Sequence, residues 1–224
     1  MPRKPLWVLL AIFCLSFPRT APAQSEPEAV VRKATAVLHA FLEGEQGVHM
    51  RRYVQNAYGV MVFPEMLRAG FLIGAEHGLG VFLTRDPASG AWRGPAYFEI
   101  FGGSIGLQLG GQSTDVVLAV MNRGAVDKLV RSRFKLGADV SMAVGRVGGT
   151  IGAGTTVNLG EDVYVFAMSR GLYGGVALDG SVVVPREDWT SAYFGRPVQT
   201  VPVLRGEETP PPSTRDLMAA LDLF

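Results

Sequence analysis

The sequence predicts an α+β fold: a strongly bent, mostly antiparallel β-sheet or barrel-like core, with a leading amphipathic helix and one or two further helices packed on it. Three observations lead there. Glycine accounts for 28 of 224 residues and is interleaved with Val, Leu, Ile and Phe. That is well above the usual share of about 7% and suits curved strands. Short segments with period-2 or all-apolar texture recur between turn residues from Gly59 to Val184, as strands do. Helical periodicity occurs in three places, near the start, after Arg123 and at the end of the chain.

The first residues read as an address rather than as structure. Arg3 and Lys4 precede an apolar run from Leu6 to Phe17, and Ala21-Pro22-Ala23 offers a small-x-small cleavage site before Gln24. This is the layout of a secretory signal peptide over 1–23, which predicts an exported protein, periplasmic or secreted. The apolar run falls short of the roughly 20 residues that span a bilayer, so a transmembrane protein is not expected. Cys14, the single cysteine, lies inside that run, which leaves no disulfide in the mature chain. Ile12 and Phe13 before it are not the small residues of a lipidation site. Arg3, Lys4 and Arg19 leave with the leader and no acid does, so 21 basic and 20 acidic residues become 18 and 20. A near-neutral chain argues against nucleic-acid binding, which calls for a basic stripe.

The mature chain of 201 residues divides into a main domain over 24–200 and a tail over 201–224. Ser25 with Glu28 forms a capping box, and Val30, Ala34, Val37, Leu38 and Phe41 follow at helical spacing, predicting a helix from Pro27 to Glu43. A short helical turn is expected from Val48 to Asn56. Separate strands are expected at Gly59–Phe63, Gly70–Ala75, Gly80–Thr84, Ala96–Phe101, Ile105–Leu109 and Asp115–Met121, with Pro64, Gly78 and the turn Asp86 to Gly90 as punctuation. Val126, Leu129, Val130 and Phe134 predict a helix from Gly124 to Phe134. Strands resume at Val140–Val144, Val163–Met168, Gly174–Leu178 and Ser181–Val184, the last two joined by Asp179-Gly180, a preferred hairpin dipeptide. Beyond Gly195, Pro202, Glu207, Glu208 and Pro210-Pro211-Pro212 read as a solvated linker. A short helix with Leu217, Met218, Leu221 and Phe224 on one side closes the chain, free to dock on the core or on a protein partner.

Catalytic constellations are weak. Gly102-Gly103-Ser104-Ile105-Gly106 matches G-x-S-x-G, but that elbow requires a strand, a sharp turn, a helix and a later histidine. Here a glycine-alternating strand follows, and His39, His49 and His77 all precede Ser104. Glu76-His77 lacks a further histidine or cysteine at metal-ligand spacing and reads as a polar turn between strands. Gly145 to Gly154 lacks the Gly-Lys-Ser/Thr ending of a phosphate loop, and Asp115 and Asp139 read as turn or cap residues. Neither a metal nor a cofactor is implied, and no enzymatic activity is expected.

The best functional candidate is the basic helix near Gly124. Lys128, Arg131 and Lys135 share the face opposite Val126, Leu129 and Val130, and Arg123 and Arg133 bring the cluster to five cations against Asp127. Such a cluster suits phosphate head groups or, equally, a plain solvated helix face.

From Ala57 to Gly195 the chain carries AYGVMVFPE, AGFLIGAEHGLGVFL, PAYFEIFGGSIGLQLGGQSTDVVLAVMN, FKLGADVSMAVG, SRGLYGGVALDGS and AYFG in this order. These motifs resemble the SYLF domain family. The resemblance implies a phospholipid-binding domain: its eukaryotic members bind phosphoinositides and membranes, the yeast ones are tied to actin, and exported bacterial ones are described as lipid-binding. Eukaryotic members contact membranes through a basic amphipathic segment at the domain's start. The leading helix here offers only Arg32 and Lys33 against Glu28 and Glu43, and Tyr58 replaces a common basic residue before Gly59, so neither phosphoinositide specificity nor actin binding is carried over to an exported protein, and only the generic lipid role is. The expected function is therefore non-catalytic binding of anionic phospholipid in the cell envelope, through Arg123, Lys128, Arg131, Arg133, Lys135 and Arg170. The alternative is an envelope scaffold or protein-interaction module acting through the C-terminal helix.

Overall fold

The computed structural model describes residues 25–131, 133–144, 162–170 and 178–224. Helix α1 runs Glu26–Glu43 and α2 Gln46–Asn56. The capping signal acts as expected, with Ser25 Oγ accepting from the amide of Glu28 at 3.4 Å. Two long strands follow, β1 over Gly59–Arg85 and β2 over Trp92–Val120. They pair antiparallel along their length through the turn at Asp86. Helix α3 covers Arg123–Arg131, and short strands follow: β3 (Phe134–Lys135), β4 (Met142–Val144), β5 (Val163–Arg170) and β6 (Val182–Pro185). The chain closes with α4 (Glu187–Phe194), α5 (Thr200–Arg205) and α6 (Arg215–Asp222).

One edge of β2 pairs with β1. The other pairs with β6 near Phe98–Phe101 and with β5 from Ser113 to Val120, giving the order β3-β6-β2-β5-β4 with β1 opposite. The pairing is antiparallel throughout except between β4 and β5. Six expected strands between Gly59 and Met121 are thus two. Pro64 reads as a stop because it has no amide to donate, yet the ladder absorbs it in a bulge. The register moves from Phe63 opposite Val116 to Met66 opposite Thr114. Glu65 takes the spare place at φ 52 and donates its amide to buried Asp115 at 2.9 Å.

The sheet is bent hard. Arg68 Nη2 lies 2.7 Å from Glu76 Oε2 eight residues along the same strand, whereas eight residues of straight strand span about 26 Å. Glu76 and His77 therefore belong to a bent strand and not to a turn. The same curl brings Gly80 against its own strand 18 residues earlier: a Cβ there would overlap the carbonyl oxygen of Val62 and sit 2.5 Å from Phe63 Cδ1. Gly80→Ala is expected to lose about 2–3 kcal/mol, the cost of overpacking a site that cannot give. Gly124→Ala on α3 meets nothing nearer than Asn122 Oδ1 at 3.4 Å and should be neutral or slightly stabilising. Urea melts of the two variants test the contrast, and equal effects would remove the close approach as its cause.

Both sheet faces are covered. Val60, Val62, Val81, Leu83, Val117 and Ala119 face α1, α2 and α6, while Met61, Phe63, Phe82, Val116, Leu118 and Val120 face α3 and α5. This is why GVMVF reads as a continuous apolar run. Tyr97 ties α1 to the sheet, its hydroxyl donating to the carbonyl of Pro27 at 2.7 Å, and its ring packs against Trp189 and Tyr193 of α4.

The stretch after Gly195 is a solvated linker only in its later part, where Gly206, Glu207, Thr209 and Pro212 are exposed; the part before it is packed. Val198, Thr200, Val203 and Leu204 are buried, with Val203 and Leu204 in the layer beneath α3. The terminal helix docks on its own domain, with Leu217, Ala220, Leu221 and Phe224 buried in the α1 layer, so its apolar side is not offered to a partner. The turn at Asp179-Gly180 is present, with the Ser181 amide donating to Leu178 at 2.9 Å. Only Gly180 of the pair has positive φ, so it is not the hairpin turn that needs both. The strand expected at Gly174–Leu178 lies outside the described residues up to 177. Among the described residues no helix is long and apolar enough to cross a membrane.

Candidate functional site

Helix α3 starts where Asn122 Oδ1 accepts from the Ala125 amide at 2.7 Å, and it seats Ala125, Leu129 and Val130 on the sheet. Its polar residues are thereby aimed outward, but not at one place. Lys128 Nζ donates to the carbonyl of Asp139 at 3.3 Å, and Asp139 accepts from the Lys135 amide at 2.7 Å. Lys128 also lies close to Asp162. Burial pushes the Asp162 carboxyl up, but hydrogen bonds from Asn122 and Ser141, with the charge of Lys128, hold it below the usual carboxylate range. Lys128 and Lys135 thus flank the Asp139 loop. Arg133 is exposed beyond the helix. Arg170 pairs through its backbone with Ser113, and its side chain lies outside the described part.

Arg123 and Arg131 take a different direction. They line a solvent-open cleft of about 560 Å3 bounded by α3, α5, Tyr58 and the turn between β1 and β2. Three arginines that the sequence did not single out meet them there: Arg85 at the end of β1, Arg93 at the start of β2, and Arg205 at the end of α5. Against these five guanidinium groups the walls carry two carboxylates, Asp127 and Glu207.

Two of the five are held by neighbours. Arg85 stacks on Trp92, 4.4 Å from the ring centroid, and donates from Nη1 to the carbonyl of Gln55 at 2.7 Å. Its Nε is buried with no acceptor among the described residues. Arg93 pairs with Asp86 and passes over Gly206. Arg123, Arg131 and Arg205 are exposed and make no side-chain hydrogen bond or ion pair among the described residues. Apolar Val126, Val201 and Leu204 complete the walls. Cations gathered in excess of their counter-charges raise the local potential and attract anions.

The rest of the surface offers less. Ser104 lies within β2 and not at a strand-to-helix elbow. Glu76 is engaged by Arg68 and by the hydroxyl of Ser181, while His77 meets Glu99 at 2.6 Å. Burial pushes the Glu99 carboxyl up, but hydrogen bonds from His77 and Arg186 hold it below the usual range, as in a structural ion network. No group of three metal-ligating side chains occurs among the described residues. The apolar face of α1 is buried under α6 and against β1, and Lys33 pairs with Glu65 at 2.5 Å.

Comparison with known proteins gives a consistent set of relatives. The sequence model of the Ysc84 family, described as "Las17-binding protein actin regulator", matches residues 101–224, over half of the chain and past the last motif quoted above. The SH3 domain-containing YSC84-like protein 1 of Bos taurus is 27% identical over 209 residues, covering 91% of this chain and 61% of the relative. Its Xenopus laevis counterpart is 28% identical over 210 residues, covering 91% and 62%. LAS seventeen-binding protein 3 of Saccharomyces cerevisiae is 27% identical over 199 residues, covering 85% and 43%. The chain thus spans about three fifths or less of the length of these curated relatives.

Proposed function

The chain belongs to the Ysc84 family, the SYLF domain family of the motifs above, and on that premise we propose that it binds anionic phospholipid surfaces without catalysis, in the cell envelope after export. The observation that carries the reading is the set of exposed basic side chains on and around α3, where Arg123, Arg131 and Arg205 make no ion pair among the described residues and Lys128 and Lys135 add two further cations. Each basic residue near an anionic surface contributes about 1 kcal/mol, so three amount to roughly a hundredfold in partitioning. Arg3, Lys4, the apolar run and Ala21-Pro22-Ala23 support export. The leading helix is not the contact in this reading, because its apolar face is buried.

Purified protein is expected to co-sediment with phosphatidylglycerol vesicles in preference to phosphatidylcholine ones, and to lose most of that preference in the variant Lys128→Glu, Arg131→Glu, Lys135→Glu. Equal sedimentation with both vesicles would sink the proposal. A second reading, a protein-interaction module, is favoured by the family's description as Las17-binding and by the yeast relative's name. It calls for a partner on a polar surface, since α6 is docked in cis. A partner that co-purifies equally well with the triple variant would favour it.

A further inference from the structure

We propose that the cleft between α3, α5 and the β1–β2 turn is a pocket for a phosphomonoester carried on an alcohol of head-group size. Three features fit this class. First, Arg123, Arg131 and Arg205 line the cleft and make no ion pair among the described residues, and a phosphate dianion with three terminal oxygens can engage several guanidinium forks at once. A carboxylate, with two oxygens, satisfies one fork. Second, Arg85 and Arg93 are fixed in advance by Trp92, the Gln55 carbonyl and Asp86, so part of the positive wall needs no ordering when a ligand binds. Third, about 560 Å3 is far more than one phosphate fills and lies within the range of small-molecule pockets. Tyr58, 43% exposed, with Val126, Val201 and Leu204, provides an apolar side for the carbon skeleton of the ester.

The ester can arrive on a lipid or free in solution. This inference does not rest on the membrane reading, because the cleft recognises the phosphate in either case. Arg131 belongs both to the surface cluster and to the cleft, whereas Lys128 and Lys135 lie outside the cleft, so the variant Lys128→Glu, Lys135→Glu separates surface attraction from pocket recognition.

The test is calorimetric titration of the full chain with glycerol 3-phosphate, beside sedimentation with phosphatidylcholine vesicles carrying either phosphatidic acid, a monoester, or phosphatidylglycerol, a diester. Saturable binding of glycerol 3-phosphate is expected. It should weaken roughly tenfold or more in Arg123→Ala, Arg205→Ala, the loss of charge-assisted hydrogen bonds, and remain unchanged in Arg133→Ala. Arg131→Gln is the second cleft variant, and unaltered melting temperatures certify both folds. A preference for phosphatidic acid that disappears with the cleft variants assigns the ester to a lipid. Glycerol 3-phosphate binding without that preference assigns it to solution. No saturable glycerol 3-phosphate binding together with no phosphatidic acid preference overturns the proposal, as does binding that both cleft variants leave intact. Failure on phosphatidylglycerol with glycerol 3-phosphate still bound defeats the membrane reading and leaves the pocket standing.

Discussion

Deleting Pro210 to Phe224 is expected to unfold the domain at moderate temperature rather than release a partner from it. The segment holds Leu217, Leu221 and Phe224, all at most 4% exposed in the layer around α1. Burial of three such side chains contributes about 5–8 kcal/mol. Polar anchors go with them: the Tyr193 hydroxyl bonds Ser213 and Thr214 at 2.9 and 2.8 Å, and Arg51 Nη1 donates to the carbonyls of Leu223 and Phe224 at 2.5 and 3.2 Å. The whole stability of a domain is about 5–15 kcal/mol. At about 2–4 °C per kcal/mol for a chain of this size, the melting temperature should fall by at least about 10 °C, or the cooperative transition should vanish. Thermal melts by circular dichroism decide this, and a truncated chain melting within a few degrees of the parent would show that the C-terminal helix adds little. The same experiment bears on the scaffold reading, since partner loss on deletion means little once the domain itself has unfolded.

Arg68→Met should cost about 3–5 kcal/mol, the usual penalty for stranding one member of a buried ion pair. The Glu76 side chain is 2% exposed and that of Arg68 17%, so water cannot replace the guanidinium. The Ser181 hydroxyl, which also donates to Glu76, carries no charge to offset. The pair lies across the bend of β1, and Gly102 makes room for it: a Cβ there would lie 2.6 Å from both Glu76 Oε1 and Ser181 Oγ. Removing both charges in Arg68→Met, Glu76→Gln should recover most of the loss, because a neutral pair has no stranded charge to desolvate. Urea denaturation of the two single variants and the double provides the cycle. A single-variant cost below about 1 kcal/mol would mean the pair behaves as a surface one.

The helices were legible unevenly, for reasons visible in particular residues. Helix α1 has a side-chain cap and an apolar repeat, and α3 an apolar repeat with an Asn cap. Helix α4 is preceded by Arg186 with no side-chain cap, and α5 carries Pro202 inside a Pro- and Glu-rich stretch, so its burial under α3 had no local signature. The strands were recognisable by texture, but Pro64 and the glycines read as ends where the ladder continues through bulges and bends. Among the site residues, Arg123 and Arg131 were legible because they share one helix. Arg85, Arg93 and Arg205 were not, since nothing in their spacing relates them.

By itself the sequence determined what neighbours within about one helical turn or two strand residues determine: the capped leading helix, the amphipathic α3, strands apolar on both faces, and the motifs that place the chain in its family. The tertiary structure alone decided that β1 and β2 are single bent strands, that the tail completes the core, and that five arginines from three parts of the chain surround one cleft. The physical reason is range. Periodicity and capping act through bonds between near neighbours, whereas the cleft exists only because bent strands and a docked tail bring together side chains up to 120 positions apart, from Arg85 to Arg205.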